Sequence, residues 1–201
     1  NSTLVGCRIP SNKLAKKLIT LFDLPIAAPS ANLSERTSVT NIMDIDPILV
    51  KKIFVLKDKQ SSHGLESTVV RIDTNNEIEV LRYGSITVEE LNKYAKVKIK
   101  KKSSISPGNL KKHYSTLKPI RMNAKRILKN EGLLNFGNNK LRSKIINLNL
   151  SNKKNLNEAA KNFYHYLHKL DQSRCKKIAV VEIPDKGLGK TINDRLRRAI
   201  K

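Results

Sequence analysis

The chain has 201 residues, with 40 Lys or Arg against 17 Asp or Glu and a net charge of +23 at pH 7. That length buries a real core in one large or two modest domains, and no apolar run approaches the roughly 18 residues of a membrane span. Two cysteines, Cys7 and Cys175, stand apart without a CxxC pair or zinc-type spacing. With no signal-peptide pattern, the expectation is a soluble, cytoplasmic protein with reduced thiols. The charge raises nucleic acid as a partner class. The excess is mostly Lys and its aromatics are not interleaved as a base-stacking surface would be, so a solvated basic surface is the simpler account.

In chain order, Leu4 to Ile9 reads as a strand stopped by Pro10, and a chain entering so close to a strand is expected to be part of a longer one. Ser11 is placed to cap a helix to about Leu21, with Leu14, Leu18 and Leu21 on one face. Pro25 to Ala28 reads as a buried strand ending in Pro29-Ser30-Ala31-Asn32, followed by a polar stretch to Thr40. A helix from Thr40 to Lys52 is interrupted at Pro47, and Ile53 to Leu56 reads as a strand. Ser67 to Asp73 and Ile78 to Arg82 form a hairpin through Asn75-Asn76. Thr87 and Glu90 make a capping box for a short helix ending near Tyr94.

From Lys93 to Lys129 there are thirteen Lys or Arg and no acid, and within this stretch Ser103 to Gly108 reads as a linker. A nucleic-acid-binding arm and an exposed interdomain connection both fit it. A second βα pattern follows. Ser143 to Leu150 and Lys177 to Ile183 are strand-like, and Thr191 to Ile200 is helical. Asn155 to Asp171 places Leu156, Ala159, Ala160, Phe163, Leu167 and Leu170 on one face of a long helix. Strand and helix alternate in both halves, so the class is α/β.

Gly187-Leu188-Gly189-Lys190-Thr191 follows a strand and opens a helix as a phosphate-binding loop does, but position 184 is Pro where that loop needs its first glycine. A helix-opening glycine turn is the better account. His165 and His168, three apart on the long helix, lack a nearby third metal ligand, and Ser67 lacks a His–Asp escort. Asp44 and Asp46 read as helix surface or cap residues. The remaining candidates are Arg8, Ser30, Asn32, Ser67, Arg82, His113 and Tyr114, a set suited to binding an anionic ligand without covalent catalysis.

Three stretches in the first half carry a resemblance. They are Pro29-Ser30-Ala31-Asn32 with Ser34, Ser38 and Thr40; Gly64-Leu65-Glu66-Ser67-Thr68-Val69-Val70; and Leu81-Arg82-x-Gly84. They closely resemble the YrdC-like domain of the threonylcarbamoyl-AMP synthase family. Ser106-Pro107-Gly108 with His113-Tyr114-Ser115 is similar to the interdomain linker of the family's long form, and Gly187-Leu188-Gly189 with Ile192-Asn193-Asp194-Arg195-Leu196-x-Arg198-Ala199 to its C-terminal domain. The resemblance implies an incomplete YrdC-like α/β domain with a twisted mixed sheet over 1–102, a linker over 103–119 and a small Rossmann-like α/β domain over 120–201.

It also implies an activity: joining L-threonine and bicarbonate and transferring AMP from ATP, with Mg²⁺, to give threonylcarbamoyl-adenylate and pyrophosphate for modification of tRNA adenosine 37. By the match, Arg8, Ser30 and Ser67 hold threonine. Asn32, Thr40, Arg82, His113 and Tyr114 face ATP, with the linker closing as a lid. There are departures. The family's upstream Lys-x-Arg element has no counterpart here. Glu35 and Val39 stand at usual Gly and Pro positions, Leu4 where Thr is usual, and Lys57-Asp58-Lys59 and Asn109-Leu110 also differ. The expectation is therefore a chain impaired or inactive on its own, either one piece of a split or truncated gene, with a separate N-terminal fragment as a candidate partner, or a remnant. The alternative is a non-catalytic module binding double-stranded RNA or tRNA.

Overall fold

The molecule, seen in a computed structural model, is described over residues 4–28, 30–33, 36–56, 61, 63–99 and 114–200. Asn12 at 12, not Ser11, caps the first helix, α1 (Lys13–Phe22): its side chain accepts from Ala15 N–H at 2.8 Å. A 3₁₀ turn at Ile42–Asp44 and the four-residue α2 (Pro47–Val50) replace one longer helix, and Asp46 caps α2 with Pro47 in the first turn. The strands β1 (Val69–Ile72) and β2 (Ile78–Arg82) form the expected antiparallel hairpin, with Asn76 at φ 56° in its turn. Thr87 and Glu90 close their capping box on α3 (Val88–Leu91). The chain then adds β3 (Val97–Ile99) parallel to β2, giving the order β1-β2-β3.

Three expected strands do not form. Leu4 to Ile9, Pro25 to Ala28 and Ile53 to Leu56 have no ladder partner among the described residues. An isolated extended segment gains neither cross-strand hydrogen bonds nor a packed face, so apolar sequence alone does not make it a strand. Their side chains are left at the surface, Val5 at 85 % and Phe54 at 88 % exposure, and α1 buries no residue at all.

The second half differs in every respect. Its strands β4 (Ile120–Arg121), β5 (Glu131–Asn135), β6 (Asn147–Asn149) and β7 (Lys177–Val180) pair wholly in parallel in the order β4-β7-β5-β6. Every residue of β5 is buried, as befits an inner strand covered on both faces. Glu131 is tolerated there because Arg121 donates to both its oxygens, at 2.9 and 2.7 Å. The helix α4 (Leu156–Gln172) starts at Asn155, whose side chain accepts from the N–H groups of Asn157 and Glu158. It buries Ala159, Ala160, Phe163, Tyr164, Leu167 and Leu170, and α5 (Leu188–Ala199) packs beside it. Leu65 and Tyr114, far upstream, join the same hydrophobic cluster. The linker stretch 103–113 lies outside the described residues, but its exit is fastened to the C-terminus of α4. There Asp171 accepts from the N–H groups of Leu117 and Lys118 at 2.8 and 2.9 Å, and the Lys118 ammonium reaches the carbonyls of Leu170, Asp171 and Ser173.

Candidate functional site

The loop Gly64–Thr68 is pressed between the hairpin and α4. Gly64 has φ +67°, and a Cβ there would stand 2.2 Å from the Ala160 carbonyl oxygen. Only glycine allows the loop backbone to lie on the helix backbone in this way. Gly84 has the same role on the other side, where a Cβ would meet Thr68 N at 2.2 Å. Thr68 then exchanges hydrogen bonds with the backbone of Ile86, through its hydroxyl, at 2.6 and 3.0 Å.

Glu66, in the middle of this loop, turns toward α4 and α5. Its Oε2 accepts from Arg195 Nε at 3.0 Å, and its Oε1 accepts from the Tyr164 hydroxyl at 2.6 Å and from the Ser38 hydroxyl. The Arg195 side chain is 0 % exposed and that of Glu66 17 %. Burial alone would push the Glu66 carboxyl up, but the Arg195 charge and the hydroxyl donors outweigh it and hold it below its ordinary value of 4.5. Burial, and then the Glu66 charge, raise the Tyr164 hydroxyl well above its ordinary value, so it stays a donor.

Ser67 faces the other way. Arg8 Nη1 donates to its Oγ at 3.3 Å, and Arg82 Nη2 donates to its carbonyl oxygen at 2.9 Å. Two guanidiniums from separate segments therefore meet at one hydroxyl-bearing turn, a constellation suited to a carboxylate. Ser30 is exposed and makes no hydrogen bond among the described residues.

The polar stretch after it is folded back on the linker exit, with Arg36 bridging Ser115 in parallel. Asn32 Nδ2 donates to the carbonyls of Leu33 and Arg36, while its Oδ1 is buried with no hydrogen-bond partner among the described residues. Thr40 Oγ1 is likewise buried without a partner among the described residues. Buried polar atoms are ordinarily satisfied, so both are open valences for a ligand. Asn32 also edges a cavity of about 250 Å³ between this stretch and α4, whose walls include Thr37, Asp44, His168 and Asp171.

Tyr114 is 2 % exposed at φ 63°, its ring 4.6 Å from the Arg195 guanidinium carbon and 6.0 Å from the Tyr164 ring. It sits in the packed cluster between the two halves rather than at an open cleft. His113 lies outside the described residues, as do Ser34 and the 57–59 turn. The His pair on α4 is structural. His165 Nδ1 lies 2.9 Å from Asp44, and His168 Nε2 lies 3.1 Å from the Thr37 hydroxyl. The Gly187 turn is no phosphate loop: Lys190 pairs with Glu89 at 3.4 Å, and Thr191 Oγ1 donates to the Gly84 carbonyl at 3.0 Å. Among the described residues no group of three or more His, Cys, Asp or Glu is arranged to hold a metal ion.

Sequence reasoning singled out Ser67 but passed over Glu66 and Arg195, although both lie inside stretches it had marked. The signal available was an acid flanked by apolar and small residues in one stretch and an arginine on the buried face of a helix in the other. Buried charges require partners, which is the reason to have paired them.

Comparison with known proteins converges on one family. The model for "Threonylcarbamoyl-AMP synthase, C-terminal domain" matches residues 86–200, more than half of the chain, and the Sua5/YciO/YrdC model described as "Telomere recombination" matches residues 1–84. The threonylcarbamoyl-AMP synthase of Pyrococcus abyssi is 26 % identical over 223 aligned positions, covering 97 % of this chain and 63 % of the relative. Those of Schizosaccharomyces pombe and Bacillus subtilis are each 35 % identical, over 54 % and 58 % of this chain and 30 % and 36 % of the relatives. The crystal structure of P. abyssi Sua5 complexed with L-threonine superposes with a TM-score of 0.81 at 25 % identity, covering 96 % of this chain and 62 % of that one. None of these matches is to an RNA-binding module, and the alternative reading is not favoured. The chain thus spans a little under two thirds of the P. abyssi relative's length, and it belongs to the threonylcarbamoyl-AMP synthase C-terminal domain family.

Proposed function

We propose that this chain takes part in threonylcarbamoyl-AMP synthesis, supplying one wall of the substrate pocket and the small α/β domain. The observation that carries the reading is the meeting of Arg8 and Arg82 at Ser67. Arg8 and Ser67 would hold the carboxylate and hydroxyl of L-threonine, the ligand bound in the P. abyssi structure, with exposed Ser30 closing on the same substrate. Asn32 Oδ1 and Thr40 Oγ1, open valences on the adjoining stretch, and the Arg82 guanidinium would face ATP, with His113 and the linker covering it. Tyr114, within that linker, anchors it in the core. Bicarbonate would join the threonine amine with loss of water to give a carbamate, whose oxygen attacks the α-phosphorus of ATP as the bond to pyrophosphate breaks. The chain's contribution is to orient the two substrates and neutralise charge. Mg²⁺ would enter on the phosphates of ATP, in keeping with its preference for substrate oxygens and water, and no residue of this chain is assigned to it. The product would pass its threonylcarbamoyl group to tRNA.

The apolar surface of α1 and of the 4–9 and 53–56 segments supports the further reading that another polypeptide segment covers them, as unpaired apolar surface of this extent is otherwise unstable in water. On this reading 1–102 is the C-terminal part of the catalytic domain, 103–119 the linker and 120–201 the small domain. The test is pyrophosphate release from ATP, made dependent on threonine and bicarbonate. The chain alone is expected to be slow, and addition of the N-terminal segment of a family member to raise the rate, an increase Arg8→Ala abolishes and Lys190→Ala leaves intact. A rate that ignores threonine, or loss of activity in Lys190→Ala alone, overturns the reading.

A further inference from the structure

Arg195 lies on α5, more than a hundred residues in sequence from Ser67 and Arg82, and each edge of its guanidinium is used. Nε donates to Glu66, Nη2 to the Tyr83 carbonyl at 2.6 Å and Nη1 to Asp194, while its face covers the Tyr114 ring. Glu66 is the residue before Ser67, and Tyr83 the residue after Arg82. Arg195 therefore grips both backbone segments one position away from the two groups that meet at the pocket. Thr191, one turn earlier on the same face of α5, binds the Gly84 carbonyl and extends the grip. The third attachment, Tyr114, lies within the linker. One side chain of the small domain is thus tied to the threonine-side loop, to the Arg82 strand and to the linker together.

We propose that Arg195 is a positioning residue: by holding Glu66, Tyr83 and Tyr114 it sets the spacing of Ser67 from Arg82, and so makes threonine affinity depend on docking of the small domain. The inference rests on the pocket reading given above and assigns the C-terminal domain a part in it. A lysine keeps the charge but has neither the planar fork nor the stacking face, so it can satisfy one of these partners and not all. A merely structural ion pair would lack this dependence, and Arg121 with Glu131, inside the small domain alone, serves as that control.

The experiment compares Arg195→Lys with Arg121→Lys in the full chain by two measurements, amide hydrogen exchange and calorimetric titration with L-threonine, after circular dichroism has shown which variants remain folded. Arg195→Lys is expected to speed exchange at 64–70 and 82–86 while leaving β5 and β7 protected, and to weaken threonine binding by roughly tenfold, the coupling usual for groups sharing one network. Arg121→Lys is expected to leave both unchanged at those positions. If Arg195→Lys does not fold, Glu66→Gln, which keeps the shape and removes the charge, is read in its place with the same expectations. Unchanged exchange at 64–70 and 82–86 overturns the proposal whatever threonine does. Faster exchange with threonine affinity intact overturns the link to the pocket. If the wild-type chain takes up no threonine at all, the pocket reading itself fails, and the exchange result still decides whether Arg195 holds the two segments.

Discussion

At Glu66 two forces oppose each other. Desolvation favours the protonated acid; the Arg195 guanidinium and the hydroxyls of Ser38 and Tyr164 favour the carboxylate and prevail, leaving the group below its ordinary 4.5. The unfolded chain therefore binds a proton near that value which the folded chain still refuses. The stabilisation is complete above the ordinary carboxylate range and is lost as pH falls through the lower folded value. Glu131, held down by its hydrogen bonds from Arg121, loses stability in the same window. Urea midpoints are accordingly expected to fall as pH drops below about 4.5, and the Glu66→Gln variant to show a shallower fall on a lower plateau. A slope identical to wild type would mean that folding does not lower the Glu66 pKa. The adjacent Ser67 accepts from the Arg8 guanidinium through its hydroxyl.

Among elements, α4 shows what a sequence can and cannot disclose. Its apolar positions recur at helical spacing over four turns and Asn155 marks its start, so its extent and buried face were legible from residues alone. That the opposite partner of Ala160 would be Gly64 was not, because nothing local to either residue records the contact. Gly64→Ala places a methyl into the helix carbonyl and strains a φ of +67°, and neither the loop nor α4 can yield cheaply. The substitution is expected to cost about 2 kcal/mol or more in urea unfolding; a cost near zero would show that the loop does not lie against the helix. The strands were less legible. The β4 pair of residues and the three of β3 and β6 are too short to display a period, and Glu131 and Asn135 put polar ends on β5. Conversely, 4–9, 25–28 and 53–56 carry strand-like sequence but lack neighbours to pair with among the described residues. Pairing is a property of two segments, and sequence reading sees one at a time.

Across the whole molecule, the well-packed parallel sheet with α4 and α5 anchors a first half that buries much less of its own apolar surface. The attachment is specific and not simply greasy: Gly64 on Ala160, Leu65 in the core, Glu66 on Arg195, Thr191 on Gly84 and Lys118 on the end of α4. The stretches that carry the family likeness in the first half and in the last helix are those that meet here. Their reading in sequence singled out Arg8, Ser67 and Arg82, which the fold brings together, while the contact of Glu66 with a helix more than a hundred residues later became visible only in three dimensions.

The central claim is that Arg8 and Ser67 grip the substrate amino acid, and calorimetric titration of L-threonine into wild type and into Arg8→Ala tests it most directly. Saturable one-site binding by the wild type, weakened in Arg8→Ala by at least about tenfold as expected for a lost charge-assisted contact, is the predicted result. Identical isotherms for the two proteins would contradict it.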